Sequence, residues 1–340
     1  MLRSRRATIQ PVLLKTSLSI AALAVLVGGC AGAPEQDKKD VDAGGHYPAS
    51  VTSCEFTTTV DAAPEHAVSM GQGATEVMLA LGLEDRMLGT YGLDDAVAPQ
   101  YQKAYDSIPV IEGDNAPSRE YLLGKKVDFV YGAYISYFDE KAAGPRDELK
   151  TFGIDAYVSP FSCGTPEKSK RASFENVWAE VEDIATIFDV EDRAKQVVAD
   201  QKKQLATIQE AKAGDGLVVF WYDSGDKTPY VGVGTGAPQV IIDTVGATNA
   251  FADVKGNWSD ISWEKVIKAD PDVIVFADAD WSTAEEKIKY LENDPALSKL
   301  RAVKAKRYVT IPFSETTPGV RVLDGAQHVS DQLRKLEQAG

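Results

Sequence analysis

The side chains of this 340-residue chain best suited to metal binding or nucleophilic chemistry are three histidines and three cysteines. Their spacing favours neither use. His46, His66 and His328 stand far apart, and a zinc site would have to draw its ligands from distant segments. No nucleophile elbow occurs and no histidine is well placed to act as a base, His46 lying in the tether, His66 before the first strand and His328 within a C-terminal amphipathic pattern, so hydrolytic chemistry is not indicated. The run Gly232-Val233-Gly234-Thr235-Gly236-Ala237 fits the dinucleotide pattern G-x-G-x-x-A, with Asp253 in range of a ribose position. It lies mid-chain, however, and Asp253 ends no clear strand. The plainer reading is a glycine turn feeding a helix whose free N–H groups face a cleft and hold a ligand oxygen. An exported dinucleotide-dependent enzyme is kept as a distant alternative. No catalytic residue, cofactor or metal is expected.

Aromatic residues are more informative. Ten of them (Tyr91, Tyr131, Tyr134, Tyr137, Trp221, Tyr222, Tyr230, Trp258, Trp281 and Phe313) fall at or just past predicted strand ends, the rim where open α/β sheets bind ligands. Tyr131 and Trp221 sit inside strand patterns and read as packing. Tyr91, Tyr134, Tyr222, Tyr230, Trp258 and Trp281 stand in loop contexts and suit a large, flat, partly apolar ligand with polar edges. Arg321, just after Pro318-Gly319, is placed either to pair with an anionic ligand or to form a surface salt bridge.

These residues need a scaffold, and the composition describes one. With 44% hydrophobic and 26% charged residues the chain is ordinary globular protein, neither disordered nor polytopic. A net charge of −15 argues against a nucleic-acid partner, which requires clustered Lys and Arg. Arg3, Arg5, Arg6 and Lys15 precede the apolar run from Leu18 to Gly28, so residues 1–29 read as an export signal. It ends in Val27-Gly28-Gly29-Cys30, a lipoprotein pattern in which Cys30 takes the lipid. The chain is then held to the cell membrane on its extracytoplasmic side, more than one acyl chain being needed for stable anchoring. Residues 30–52, rich in small and charged side chains, are expected to be a flexible tether. In an oxidising compartment Cys54 and Cys163 are expected to pair, the alternative being two separate buried thiols.

From Ala67 the chain alternates short apolar runs with helical patterns, as α/β units do. Strands are predicted at 67–70, 87–91, 127–131, 154–158, 217–222, 272–276 and 307–311. Between the two groups, Val177, Val181, Ile184 and Phe188 begin a helical stripe that continues through Val198, Leu205 and Ile208 until Gly214. The stretch from Asp189 to Lys212 would make a helix about 36 Å long. An N-terminal lobe over 53–172, linking helices over 173–213 and a C-terminal lobe over 214–340 follow. The halves also echo one another. Gly71–Val77 lines up with Gly234–Val240, and in each half a glutamate, Glu120 or Glu264, stands eight residues before an aspartate, Asp128 or Asp272, that opens a buried strand. Two similar lobes with a ligand cleft between them are the expectation.

The run A-T-E-V-M-L-A-L-G-L-E-D-R-M-L-G at 74–89 and W-E-K-V-I-K-A-D-P-D-V-I-V at 263–275, with the lipoprotein signal and the long central helix, resemble the iron-siderophore and cobalamin class of ABC-importer substrate-binding proteins. The resemblance covers about residues 55–338. It implies two Rossmann-like lobes with central parallel sheets, joined by a long rigid helix that permits modest closure. It implies that Glu120 and Glu264 dock to arginines of a permease, where either alone would read as a solvated carboxylate. An ATPase subunit would supply the energy. A ferric siderophore is the favoured ligand. A corrinoid, haem with Tyr134 as axial ligand, or a deazaflavin precursor suggested by residues 221–239 are the alternatives.

Overall fold

The computed structural model describes residues 46–339. The export signal, Cys30 and residues 31–45 lie outside the described residues. Strands β1 (Ala49–Ser53) and β2 (Phe56–Val60) form an antiparallel hairpin. Cys54 and Glu55 both take positive φ in its two-residue turn, the backbone that matches strand twist in tight hairpins. Residues 49–52, expected as the end of the tether, are therefore already strand. Ala49, Val51 and Ser53 point inward in strict alternation, which gives this short segment a buried face.

The first lobe is built on a four-stranded parallel sheet of β3 (Ala67–Met70), β4 (Met87–Tyr91), β5 (Phe129–Gly132) and β6 (Asp155–Val158), in the order β4-β3-β5-β6. All residues of β3 and β5 are buried, as continuous apolar strands require when helices cover both sheet faces. Helices α1 (Gln72–Ala80), α2 (Gln102–Tyr105), α3 (Arg119–Gly124) and α4 (Arg146–Thr151) make the crossovers.

Helices α5 (Phe174–Phe188) and α6 (Glu191–Ala211) follow. The helical region read from the sequence over 173–213 divides at Asp189, whose left-handed conformation (φ 57°) ends α5. At 21 residues α6 is about 31 Å long. Both helices serve both cores. Phe174 and Trp178 at the start of α5 pack with the C-terminal lobe while Ile184 and Phe188 pack with the first. In α6, Ala194 belongs to the first core and Val198 and Ile208 to the second.

The second lobe contains β7 (Val218–Ser224), β8 (Tyr230–Gly232), β9 (Thr248–Asn249), β10 (Trp258–Asp260), β11 (Val273–Asp278) and β12 (Tyr308–Pro312), ordered β10-β8-β7-β11-β12 with β9 also pairing with β7. Strands β7, β9, β11 and β12 are parallel; at one edge β8 runs antiparallel to both of its neighbours, β7 and β10. Its helices are α7 (Ala237–Thr244), α8 (Trp263–Ala269), α9 (Ala284–Asn293), α10 (Arg301–Lys304) and α11 (Val322–Ala339). The echo between halves has a structural basis. Asp128 accepts from the backbone N–H of His66 at 2.9 Å and Asp272 from that of Val218 at 2.9 Å, so in each lobe the aspartate clamps the neighbouring central strand where it begins.

Candidate functional site

The strands of the first lobe end at one rim. After β3, Gly71 holds φ 91° and donates its N–H to the Tyr91 carbonyl at 2.7 Å. A Cβ there would lie 2.7 Å from that of Ala133, so only glycine fits. The turn starts α1, placing Gly73 at the rim beside Ala133 and Tyr134 after β5 and Ser159, Phe161 and Ser162 after β6. From the second lobe come Asn257 and Trp258. Thr317 and Pro318, between β12 and α11, complete the wall of a cavity of about 160 Å³. The lobes meet closely at this point, since a Cβ on Gly73 would lie 3.2 Å from the Pro318 carbonyl oxygen. Every side chain lining the cavity is uncharged: three aromatic rings with hydroxyl and amide groups between them.

Of the residues singled out from the sequence, Tyr134 and Trp258 are brought together on this cavity. Tyr91 is one ring removed, its edge against Tyr137 (5.9 Å between centroids), which in turn packs on Tyr134 (5.5 Å). Burial, with the Asp94 carboxylate acting in the same sense, pushes the Tyr134 phenol up to about 12 and keeps it protonated. Tyr230 is exposed at the start of β8 and does not line the cavity. Trp281 is 59% exposed, packs edge-on against Phe313, and lines a separate open concavity with Lys287 and Tyr290.

Two residues stand elsewhere than the sequence suggested. Tyr222 is the fifth residue of β7, not a loop residue, and is fully buried among Phe220, Trp263 and Phe276 with its O–H donated to the Gly225 carbonyl at 3.0 Å. Arg321 is neither at the cavity nor on the surface. It is 6% exposed and donates to Glu76 at 2.9 Å and Glu315 at 2.7 Å, with Asp324 2.9 Å from its Nε. Burial alone would lower its pKa, but Glu76 and Glu315 outweigh that and raise it. Since Glu76 lies on α1 and Arg321 precedes α11, the cation is spent on joining the lobes. Long-range charge pairing of this kind leaves no mark in local sequence.

Glu120 and Glu264 occupy the first turns of α3 and α8, both exposed. The Glu120 carboxyl is held below its usual range by its own backbone N–H and the Ser118 hydroxyl. Cys54 and Cys163 are disulfide-bonded, joining the β1–β2 turn to the segment after β6. Sequence reading passed over Phe161, although it follows a predicted strand just as Tyr134 does. Ser159, Ser162, Asn257, Thr317 and Pro318 carried no signal, their types being common in any loop.

Residues 68–315 match the family model described as periplasmic binding protein. A periplasmic binding protein from Veillonella parvula is 32% identical, its structure aligning with a TM-score of 0.73 over 83% of this chain and 96% of that one. The chain is 26% identical to the uncharacterised ABC transporter substrate-binding lipoprotein YvrC of Bacillus subtilis, over 91% of this chain and 93% of the relative. It is 21% identical to the vitamin B12-binding protein of Vibrio parahaemolyticus, over 68% of this chain and 79% of the relative.

Proposed function

From the premise that the chain belongs to the periplasmic binding protein family, we propose that it captures a large, nearly neutral metal chelate, a corrinoid foremost, and delivers it to an ABC importer. It is a binding protein, not an enzyme; binding proteins of ABC importers work with a permease and an ATPase. The observation that carries the ligand class is the uncharged lining of the interlobe cavity, with Tyr134, Phe161 and Trp258 as stacking faces and Ser159, Ser162, Asn257 and Thr317 as hydrogen-bonding edges. An anionic ferric siderophore, the ligand that the family resemblance favours, finds no cation among the lining residues. Haem would bring acidic edges to the same wall and require a phenolate from a tyrosine whose proton is held more tightly than usual. A neutral ferric hydroxamate chelate would share the corrinoid's stacking mode and is the second reading. At about 160 Å³ the cavity is smaller than the ~300–1,000 Å³ of drug-sized ligand sites, so the walls separate to admit a macrocycle.

Anchoring through lipid on Cys30 and docking through Glu120 and Glu264 belong to the same proposal. No helix among the described residues is long and apolar enough to cross a membrane. The ligand reading is tested by titrating the purified protein with cyanocobalamin, a neutral ferric trihydroxamate and an anionic ferric catecholate, following absorbance and tryptophan fluorescence. The neutral chelates should bind, the corrinoid most tightly. Tyr134→Ala and Trp258→Ala should each weaken binding about five- to a hundred-fold, an aromatic stacking face being worth roughly 1–3 kcal/mol. Tightest binding of the catecholate, or affinities indifferent to both substitutions, would overturn the reading.

A further inference from the structure

Strand β7 does not pair evenly with β8. Tyr222 stands opposite Val231 and Ser224 opposite Tyr230, so Asp223 is an extra residue on β7, a β-bulge. Bulges re-aim a side chain out of the alternation of the strand. On the other side of β8 lies β10, which carries Trp258 to the cavity wall. Asp223 does not line that cavity and is only 4% exposed.

A carboxylate so deeply buried is costly unless it is served by donors and a counter-charge. Burial raises the Asp223 pKa, and the Lys287 ammonium, the Ser224 hydroxyl and the Trp258 indole N–H act against it by favouring the ionised form. Lys287 is itself buried. Its Nζ donates to the Asp223 carbonyl at 2.5 Å and to the Ala277 carbonyl, tying the end of β7 to that of β11. The charge of Asp223 is thus balanced one layer behind an uncharged wall. Asp223 Oδ1 and Trp258 Nε1 are both shielded from solvent, and among the described residues neither has a hydrogen-bond partner at good geometry. An indole N–H can only donate and a carboxylate can only accept. Each therefore supplies what the other lacks, and a small turn of the ring completes the bond.

We propose that Asp223 is a positioning residue for the ligand site: its carboxylate accepts the Trp258 indole N–H from behind and fixes the plane that this ring turns to the chelate, with Lys287 as its counter-ion. Trp258 is the aromatic face that the second lobe gives to the cavity, and a stacking face is useful only when its own orientation is locked. The inference rests on the ligand reading above for the choice of binding probes. Nothing local in the sequence marks Asp223, because a bulge depends on the register between two strands.

The test uses the full-length chain in detergent with ¹⁵N-labelled indoles. The Trp258 resonance is identified by its loss in Trp258→Phe. In the unliganded protein it should move upfield in Asp223→Ala and stay close to its place in Asp223→Asn, whose amide oxygen still accepts. Its hydrogen should exchange slowly in the unsubstituted protein, a readout that needs no Asp223 variant to fold. Affinity is then measured with cyanocobalamin and with the neutral ferric trihydroxamate. Asp223→Ala should weaken binding about five- to twentyfold, and Asp223→Asn should recover most of the loss. In the Trp258→Phe background, Asp223→Ala should add less than about twofold, because the two residues act as one unit. An unmoved indole resonance in Asp223→Ala, rapid exchange in the unsubstituted protein, or losses that multiply in the double variant would overturn the proposal. If neither probe binds the unsubstituted protein, the ligand reading fails, and the indole resonance by itself decides whether Asp223 holds the ring.

Discussion

Glu180 sits inside the first lobe, where the Tyr131 phenol donates to its Oε1 at 2.7 Å. Burial pushes its carboxyl up to about 7, with the Tyr131 and Ser159 hydroxyls pulling the other way. A folded-state value above the unfolded one means the native protein keeps a proton that the unfolded chain releases. Stability is therefore greatest below the ordinary value of 4.5 and is lost as pH rises through about 7. The shift corresponds to about 3 kcal/mol. Glu180→Gln keeps an acceptor for Tyr131 without the charge, so it should melt several degrees above the unsubstituted protein at about pH 8, the gap closing near pH 5. Thermal melts at the two pH values check this, and a gap independent of pH would refute it. Arg321 illustrates the opposite case, a buried charge with its partners in place; stripping it from Glu76 and Glu315 would leave uncompensated carboxylates in the interior.

Between elements, the Cys54–Cys163 bridge ties the N-terminal hairpin to the loop that follows β6, across a sequence separation of 109. Neighbouring contacts reinforce the junction. Arg146 donates to the carbonyls of Ser53 and Cys54, both at 3.0 Å, and its guanidinium lies over the Phe56 ring at 4.5 Å. A cross-link over so long a loop removes much of the freedom of the unfolded chain, so replacing both cysteines by serine should cost about 2–5 kcal/mol. Urea midpoints of the oxidised protein and the double variant provide the measurement, and equal midpoints would contradict the expectation. Because the loop from Ser159 to Ser162 contributes to the cavity wall, the bridge also steadies one side of the site.

At the scale of the whole molecule, α5 and α6 are each shared between two hydrophobic cores, which limits how independently the lobes can move. The repeated architecture places Glu120 and Glu264 in corresponding first turns, next to exposed apolar side chains at Tyr121, Leu123 and Ile267. If these turns meet a permease, Glu120→Ala combined with Glu264→Ala should leave chelate affinity unchanged while lowering uptake about tenfold or more, because each carboxylate loses a charge-assisted contact. Ligand titration and transport measured on the same double variant separate the two effects. Full transport would remove the docking role without touching the ligand site.

Sequence alone determined the alternation of buried strands and helices, the doubling of the lobes and the central helical stretch, and it made the pairing of Cys54 with Cys163 an expectation that the structure bears out. Each rests on periodicity, on burial of runs such as Val273–Phe276, or on compartment chemistry, and these act over a few residues or over the chain as a whole. Tertiary structure decided which aromatic rings face the cavity. Tyr134 and Tyr222 are the same residue type near the ends of predicted strands, yet one lines the cleft and the other fills a core, because β7 runs on to Ser224, two residues past its predicted end, and keeps Tyr222 within the sheet. It also decided that Arg321 joins lobes. Contacts between residues more than a hundred positions apart depend on how whole elements pack, and no local pattern encodes that packing.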